Sequence, residues 1–183
     1  MKSKALITTG LAILALIASA TSFAVSKVEL DARADKALHH FFELNPANRP
    51  LAQKAAGILV FSHVTKGGVG VAGEYGQGVL RVNHATAGYF SIGSASVGLT
   101  LGLAKYSEVI MFMTQDSLDK FMASKGWSIG ADAAVVLVSQ GAAGEYDSTT
   151  IGKPILGFVF GEKGLLGDVS LEGSKITMIK TLE

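Results

Sequence analysis

The chain is 183 residues long, 49% hydrophobic and 17% charged, with a formal net charge of +1 and no cysteine. That length suits one domain, and the missing thiols exclude disulfides, thiolate metal sites and lipid attachment through an N-terminal cysteine. The basic residues are scattered rather than gathered, which excludes the concentrated patch that nucleic-acid binding needs.

In chain order, residues 1–24 are expected to be a cleavable export signal. Lys2 and Lys4 precede an apolar run from Ala5 to Ala18, and small residues follow at Ala18-Ser19-Ala20 and Ser22-Phe23-Ala24. The run is shorter than the roughly 18–20 residues of a membrane span. Its removal takes two lysines away and leaves a mature chain close to neutral, expected in the periplasm or secreted.

Residues 25–56 are expected to form an N-terminal helical segment. Ser26-Lys27-Val28-Glu29 has the capping-box pattern. Leu30, Ala34, Ala37, Leu38, Phe41 and Leu44 then recur at spacings of three and four, and Asn45-Pro46 closes the helix. A second short helix is expected from about Pro50 through Ala55.

From Gly57 the period changes. Ile58-Leu59-Val60-Phe61 predicts a buried strand, and segments 67–74, 77–83, 88–92, 95–104 and 107–113 predict further ones. A helix is predicted to start at Thr114-Gln115-Asp116-Ser117, with Leu118, Phe121 and Met122 on one face and Gly126 as its stop. Strands are expected again at 130–138, 154–161, 165–171 and 174–180, with Glu172-Gly173-Ser174 turning the last hairpin and 141–153 as a mobile loop. The fold class is α+β: an antiparallel, strongly curled or barrel-like β-meander over 57–183, with the N-terminal helical segment and one internal helix.

Three motifs imitate active sites. Gly68-Val69-Gly70-Val71-Ala72-Gly73 spells the dinucleotide fingerprint, which works only when its turn leads into a helix that receives the pyrophosphate. Here Glu74-Tyr75-Gly76-Gln77-Gly78 follows, a poor helix start. A strand with one nearly bare face explains the glycines better, because a helix of the same chain, another backbone or a lipid chain could approach it closely. Gly126-Trp127-Ser128-Ile129-Gly130 matches the nucleophile elbow, but the elbow needs strand before and helix after. All four histidines also precede Ser128, against the chain order of that fold. His39 and His40 are adjacent, so on a helix they point about 100° apart and do not easily share a metal. No catalytic residue, cofactor or metal is expected.

The chain taken together resembles the SYLF domain family. The resemblance runs over about residues 34–180 and rests on ordered blocks: Ala56-Gly57-Ile58-Leu59-Val60-Phe61, Lys66-Gly67-Gly68-Val69-Gly70, Tyr75-Gly76-Gln77-Gly78-Val79-Leu80 and Gly88-Tyr89-Phe90-Ser91. Ser96-Val97-Gly98-Leu99, Phe112-Met113-Thr114, Leu118-Asp119-Lys120-Phe121, Ser124-Lys125-Gly126-Trp127 and Gly130-Ala131-Asp132 continue it. Lys163-Gly164-Leu165-Leu166 and Leu171-Glu172-Gly173-Ser174-Lys175-Ile176 complete it. Phe90 stands where the family usually has Trp, and Thr100 where Gln is common. The resemblance implies a lipid-binding module without catalysis. Actin is a partner of the family's cytosolic members and is not expected for an exported chain.

Two routes to phospholipid or a membrane surface follow. In one, the first helix lies on the membrane with Leu30, Leu38 and Phe41 facing it, against the alternative that this stripe packs on the sheet. Its polar face mixes Lys27, Arg33 and Lys36 with Glu29, Asp31 and Asp35, whereas helices on anionic lipid usually carry a basic excess. In the other, a groove takes an acyl chain, with Lys66, Arg81, Lys105 and Lys153 as headgroup candidates and Phe90 and Trp127 as aromatic anchors. Each lysine has the reading of an ordinary surface charge beside it, and Trp127 that of a core residue. Other function classes are an envelope module binding a protein partner and a serine hydrolase acting through Ser128 or another serine.

Overall fold

The computed structural model describes residues 25–138, 146–161, 164–166, 170–180 and 182. The expected export signal, residues 1–24, lies outside these, as does part of the 141–153 loop.

Helix α1 spans Lys27–Leu44, and its start is the predicted one: Ser26 accepts a hydrogen bond from the Glu29 backbone N–H at 3.2 Å. The Glu29 side chain does not reach back to close the box; it pairs with Arg33 one turn on. Leu30, Ala34, Ala37 and Phe41 form the buried stripe. Extended backbone at Asn45 ends the helix, and α2 (Asn48–Lys54) follows at once. The Asn48 side-chain amide donates to the Phe41 carbonyl at 2.6 Å, satisfying one of the carbonyls that a helix end leaves open.

The β-structure departs from the expected short strands. Strand β1 runs unbroken over Gly57–Val82 and β2 over Ala85–Phe112. Together they form one antiparallel hairpin from Gly57↔Phe112 to Val82↔Ala85. Asn83 and His84, both at positive φ, make its two-residue turn. The breaks expected within 62–66, 75–76, 93–94 and 105–106 are absent. Register shifts take their place, between Phe61 and Val64, Val69 and Val71, and Leu80 and Arg81. A bulge bends a strand without ending it.

Bending is obligatory here. A straight strand of this length would reach on the order of 85 Å, far beyond the size of a small domain. β1 instead reverses at 68–72 and crosses itself. A Cβ on Gly68 would lie 2.0 Å from the Val71 carbonyl oxygen, and one on Gly78 2.5 Å from both the Val60 carbonyl oxygen and the Phe61 ring. At Gly76 and Gly78 the nearly bare strand face thus meets the first half of its own strand. Along this stretch Ala72, Glu74, Gly76 and Gly78 point inward, and Val69 and Val71 face solvent.

The outer edge of β2 is shared. Its C-terminal part pairs with β5 (Ile155–Gly161), and its 90–93 segment with β7 (Lys175–Met178). β7 carries β3 (Trp127–Ser128) on its other side, and β5 carries β6 (Gly164–Leu165) together with β4 (Val136–Leu137), the one parallel pair. The result is a seven-stranded, mostly antiparallel, strongly curled sheet among the described residues, an α+β fold with an N-terminal helix. Two expected strands are reduced. Of 130–138, only β4 and an Ile129↔Ala133 bridge remain, and of 174–180 the strand Lys175–Met178, which pairs with β2 and β3. The described part of the 141–153 loop holds a helical turn, α4 (Ser148–Ile151), capped by Asp147.

Two apolar layers flank the sheet. On one face Leu30, Ala34 and Phe41 of α1 pack on Val60, Val79, Val109, Met111, Phe158 and Phe160. On the other, Leu59, Phe61, Leu80, Phe90, Ile110 and Phe112 enclose Leu118 and Phe121 of α3 (Gln115–Ala123) together with Trp127. The alternation of residues 59–61 and 109–112 between layers is the period-2 signature of a sheet covered on both faces. No helix among the described residues is long and apolar enough to cross a membrane.

Candidate functional site

The packing of β1 on itself and against α1 creates two features that no local pattern contains. The first is an exposed apolar bend. Val69 is 80% exposed, Leu103 69%, Val71 61% and Tyr75 57%, and all four come from the strand pair on either side of the 68–72 reversal. Scattered exposed apolar residues are ordinary, but large ones gathered at one bend are not.

The second is a pair of clefts that meet at Arg33, Ser62 and His63. One, of about 550 Å³, has Leu30, Gly67, Gly68, Gly73, Gly76 and Leu103 along its walls, with Glu74 reaching in. The other, of about 710 Å³, lies between α1 and the sheet and brings together Arg33, Lys36, His39, His40, His63 and Lys105, with Glu43 as its one acidic residue. The Ser62-His63 bulge is what presents His63 here. Burial lowers the His63 pKa first, and the charges of Arg33, Lys105 and Lys36 lower it further, so these three cations act on one point. His39 and His40 share Glu43, at 3.3 and 3.9 Å, despite their divergent directions. The second ring nitrogen of His40 donates to the Gly161 carbonyl at 3.2 Å.

A buried acidic group accompanies the clefts. Glu74, which lines the first, is paired with Lys66 at 3.8 Å. Glu108 is fully buried, and both its carboxylate oxygens lack hydrogen-bond partners among the described residues, as does the Tyr106 hydroxyl in the wall of the second cleft. Burial, then the charge of Glu74, pushes the Glu108 pKa up to about 8, with Lys66 opposing. Tyr106 is raised as well, by burial and by the charges of Glu74 and Glu108. Protonation is the way a carboxyl group tolerates such a position.

Of the residues singled out in the sequence, the structure brings Leu30 to the first cleft and Lys105 to the second; Lys66 is committed to Glu74. Arg81 is not available to a headgroup. It binds Asp31 at 3.1 Å and Asp35 at 2.7 Å and also donates to Thr86, while Asp31 accepts from Tyr89 at 2.8 Å, a network that fastens α1 to the sheet. Lys153 is exposed beside α4 and lines neither cleft. Phe90 and Trp127 lie in the core around Phe121, with ring centroids 4.9 and 5.3 Å away. Leu30 and Phe41 are buried on the sheet and Leu38 is half-buried, so the α1 stripe faces inward and the packing alternative describes it. The elbow serine is in strand β3, and Asp132 binds its backbone N–H at 2.6 Å.

Residues that sequence reasoning passed over are Glu74, Tyr106 and Glu108, the apolar bend, and the meeting of Arg33 and Lys36 with His63. Glu108 carried one signal: it is a charged residue directly before the apolar run 109–113.

Comparison with known proteins gives two matches. The family described as Ysc84, Las17-binding protein actin regulator, matches residues 93–182. Beta cell expansion factor A of Aeromonas veronii is 30% identical over 159 residues, which is 86% of this chain. The chain spans 59% of that relative's length.

Proposed function

Because the chain belongs to the SYLF (Ysc84) family through residues 93–182, we propose that it is an exported, non-catalytic module that binds phospholipid at a membrane surface. The observation that carries this is the apolar bend: Val69, Val71, Tyr75 and Leu103 stand in solvent directly beside a cleft that is basic. That pairing suits a bilayer, which offers an apolar interior under an anionic surface. The bend, rather than the inward-facing stripe of α1, is the part that enters the lipid. Actin regulation, named in the family's description, is not part of this reading, since an exported chain does not meet cytosolic actin.

Vesicle flotation with the purified chain tests it. Wild-type protein is expected to float with phosphatidylglycerol-containing vesicles at low salt. Fully burying an aliphatic side chain is worth about 1.5–3 kcal/mol, so Val69→Ser with Leu103→Ser, about 3–6 kcal/mol together, should weaken partitioning by roughly 100-fold or more. Failure of the wild type to float, or undiminished flotation of the double variant, contradicts the reading.

A further inference from the structure

The basic cleft gathers its cations from separate elements, and its arrangement is specific. Lys36 and Lys105 have no ion-pair partner among the described residues. They come from different elements, α1 and β2, and line one cavity with Arg33 and His63. Arg33 is held by Glu29 on its own helix, and Glu43, the cleft's acid, lies against His39 and His40 rather than against a lysine. Neither lysine is tied to a carboxylate, and the cations lining the cavity outnumber its acid.

We propose that this cleft is a binding site for a phosphate monoester, with Lys36, Lys105 and Arg33 holding the dianion and His63 donating to one of its oxygens. A guanidinium beside ammonium groups is the donor set that phosphate oxygens favour. A monoester brings a second negative charge to these cations, whereas a phosphodiester brings a single one. The cavity of about 710 Å³ exceeds the needs of a phosphate alone and continues, through Arg33, Ser62 and His63, into the cleft bounded by Leu30 and Leu103. An ester whose organic part is apolar thus has its phosphate in one cleft and its tail in the other, leading towards the exposed bend. This rests on the lipid-binding reading above and narrows it to the headgroup.

The experiment compares the full chain with Lys36→Ala/Lys105→Ala and with Lys125→Ala/Lys153→Ala, a control that removes the same charge from exposed positions outside both clefts. Each is floated with phosphatidylcholine vesicles containing either phosphatidic acid or phosphatidylglycerol at matched surface charge. The wild type is expected to prefer phosphatidic acid. The cleft variant should lose about tenfold or more of that binding, beyond any loss in the control, since each lysine near an anionic surface contributes about 1 kcal/mol. A soluble arm identifies the source of the phosphate. Calorimetric binding of glycerol 3-phosphate and inorganic phosphate by the wild type but not the cleft variant supports the site with a free ester as ligand. Vesicle binding without a soluble signal supports it with a lipid headgroup. Equal losses in cleft and control variants, or equal wild-type binding of the two lipids, overturn the proposal. If the cleft variant floats as the wild type does while Val69→Ser/Leu103→Ser does not, the membrane reading stands and the headgroup site falls.

Discussion

Glu108 occupies a position in which ionisation is costly, and its effect on stability has a definite sign. Its ordinary pKa is 4.5, and burial followed by the charge of Glu74 raises it to about 8 in the folded chain. Between these values the folded state keeps a proton that the unfolded chain has released. Stability therefore falls as pH rises from 4.5 to about 8, by up to about 1.4 kcal/mol per pH unit, and this contribution is constant above that range. Glu108→Gln removes the titration. Its unfolding free energy, measured by urea denaturation from pH 4.5 to 8.5, is expected to lose this slope, so that the variant gains on the wild type as pH rises. Parallel curves for the two proteins would show that Glu108 ionises normally. Lys66 and Arg81 illustrate the opposite fate: their charges are bound to acidic partners, Glu74 for one and Asp31 with Asp35 for the other. A lysine or arginine in a sequence carries no mark of whether a carboxylate from elsewhere in the chain will meet it.

Among the elements, β1 is the one that shapes the molecule, and its glycines differ sharply in what they permit. At Gly78 an added methyl meets the Val60 carbonyl oxygen at 2.5 Å, and a backbone atom cannot swing aside as a side chain can. At Gly73 it meets nothing within 4 Å. Gly78→Ala is expected to cost about 1–3 kcal/mol through forced displacement of the crossing strand, whereas Gly73→Ala should stay within about 0.5 kcal/mol. Thermal unfolding of the two variants decides it, and equal stability would contradict the self-crossing of β1. The glycine-rich stretch also marks the limit of local reading. Helix α1, its Ser26 cap and the helix starting after Thr114 were legible because capping and 3.6-residue periodicity are local signals. The continuity of β1 and β2 was not, because Ser62-His63 reads as a turn in sequence and is a bulge within a strand. The site suffered most from this. Arg33 and His63 meet Glu74 in one cleft and Lys105 in the other through the packing of α1, β1 and β2, and of these four only Lys105 is a headgroup candidate in the sequence.

At the scale of the whole molecule, one end combines the apolar bend, the glycine-walled cleft and the basic cleft, and α1 is turned away from lipid by its packing on the sheet. The central claim is therefore geometric: the bend enters the membrane and the helix does not. Val71 on the bend and Val28 on α1 are both largely exposed, at 61% and 79%, and the chain has no cysteine of its own. Val71→Cys and Val28→Cys can each carry one environment-sensitive fluorophore, read before and after addition of anionic phospholipid vesicles. A blue shift at position 71 with an unchanged spectrum at position 28 is the predicted result; a shift at position 28 with none at 71 would contradict the account.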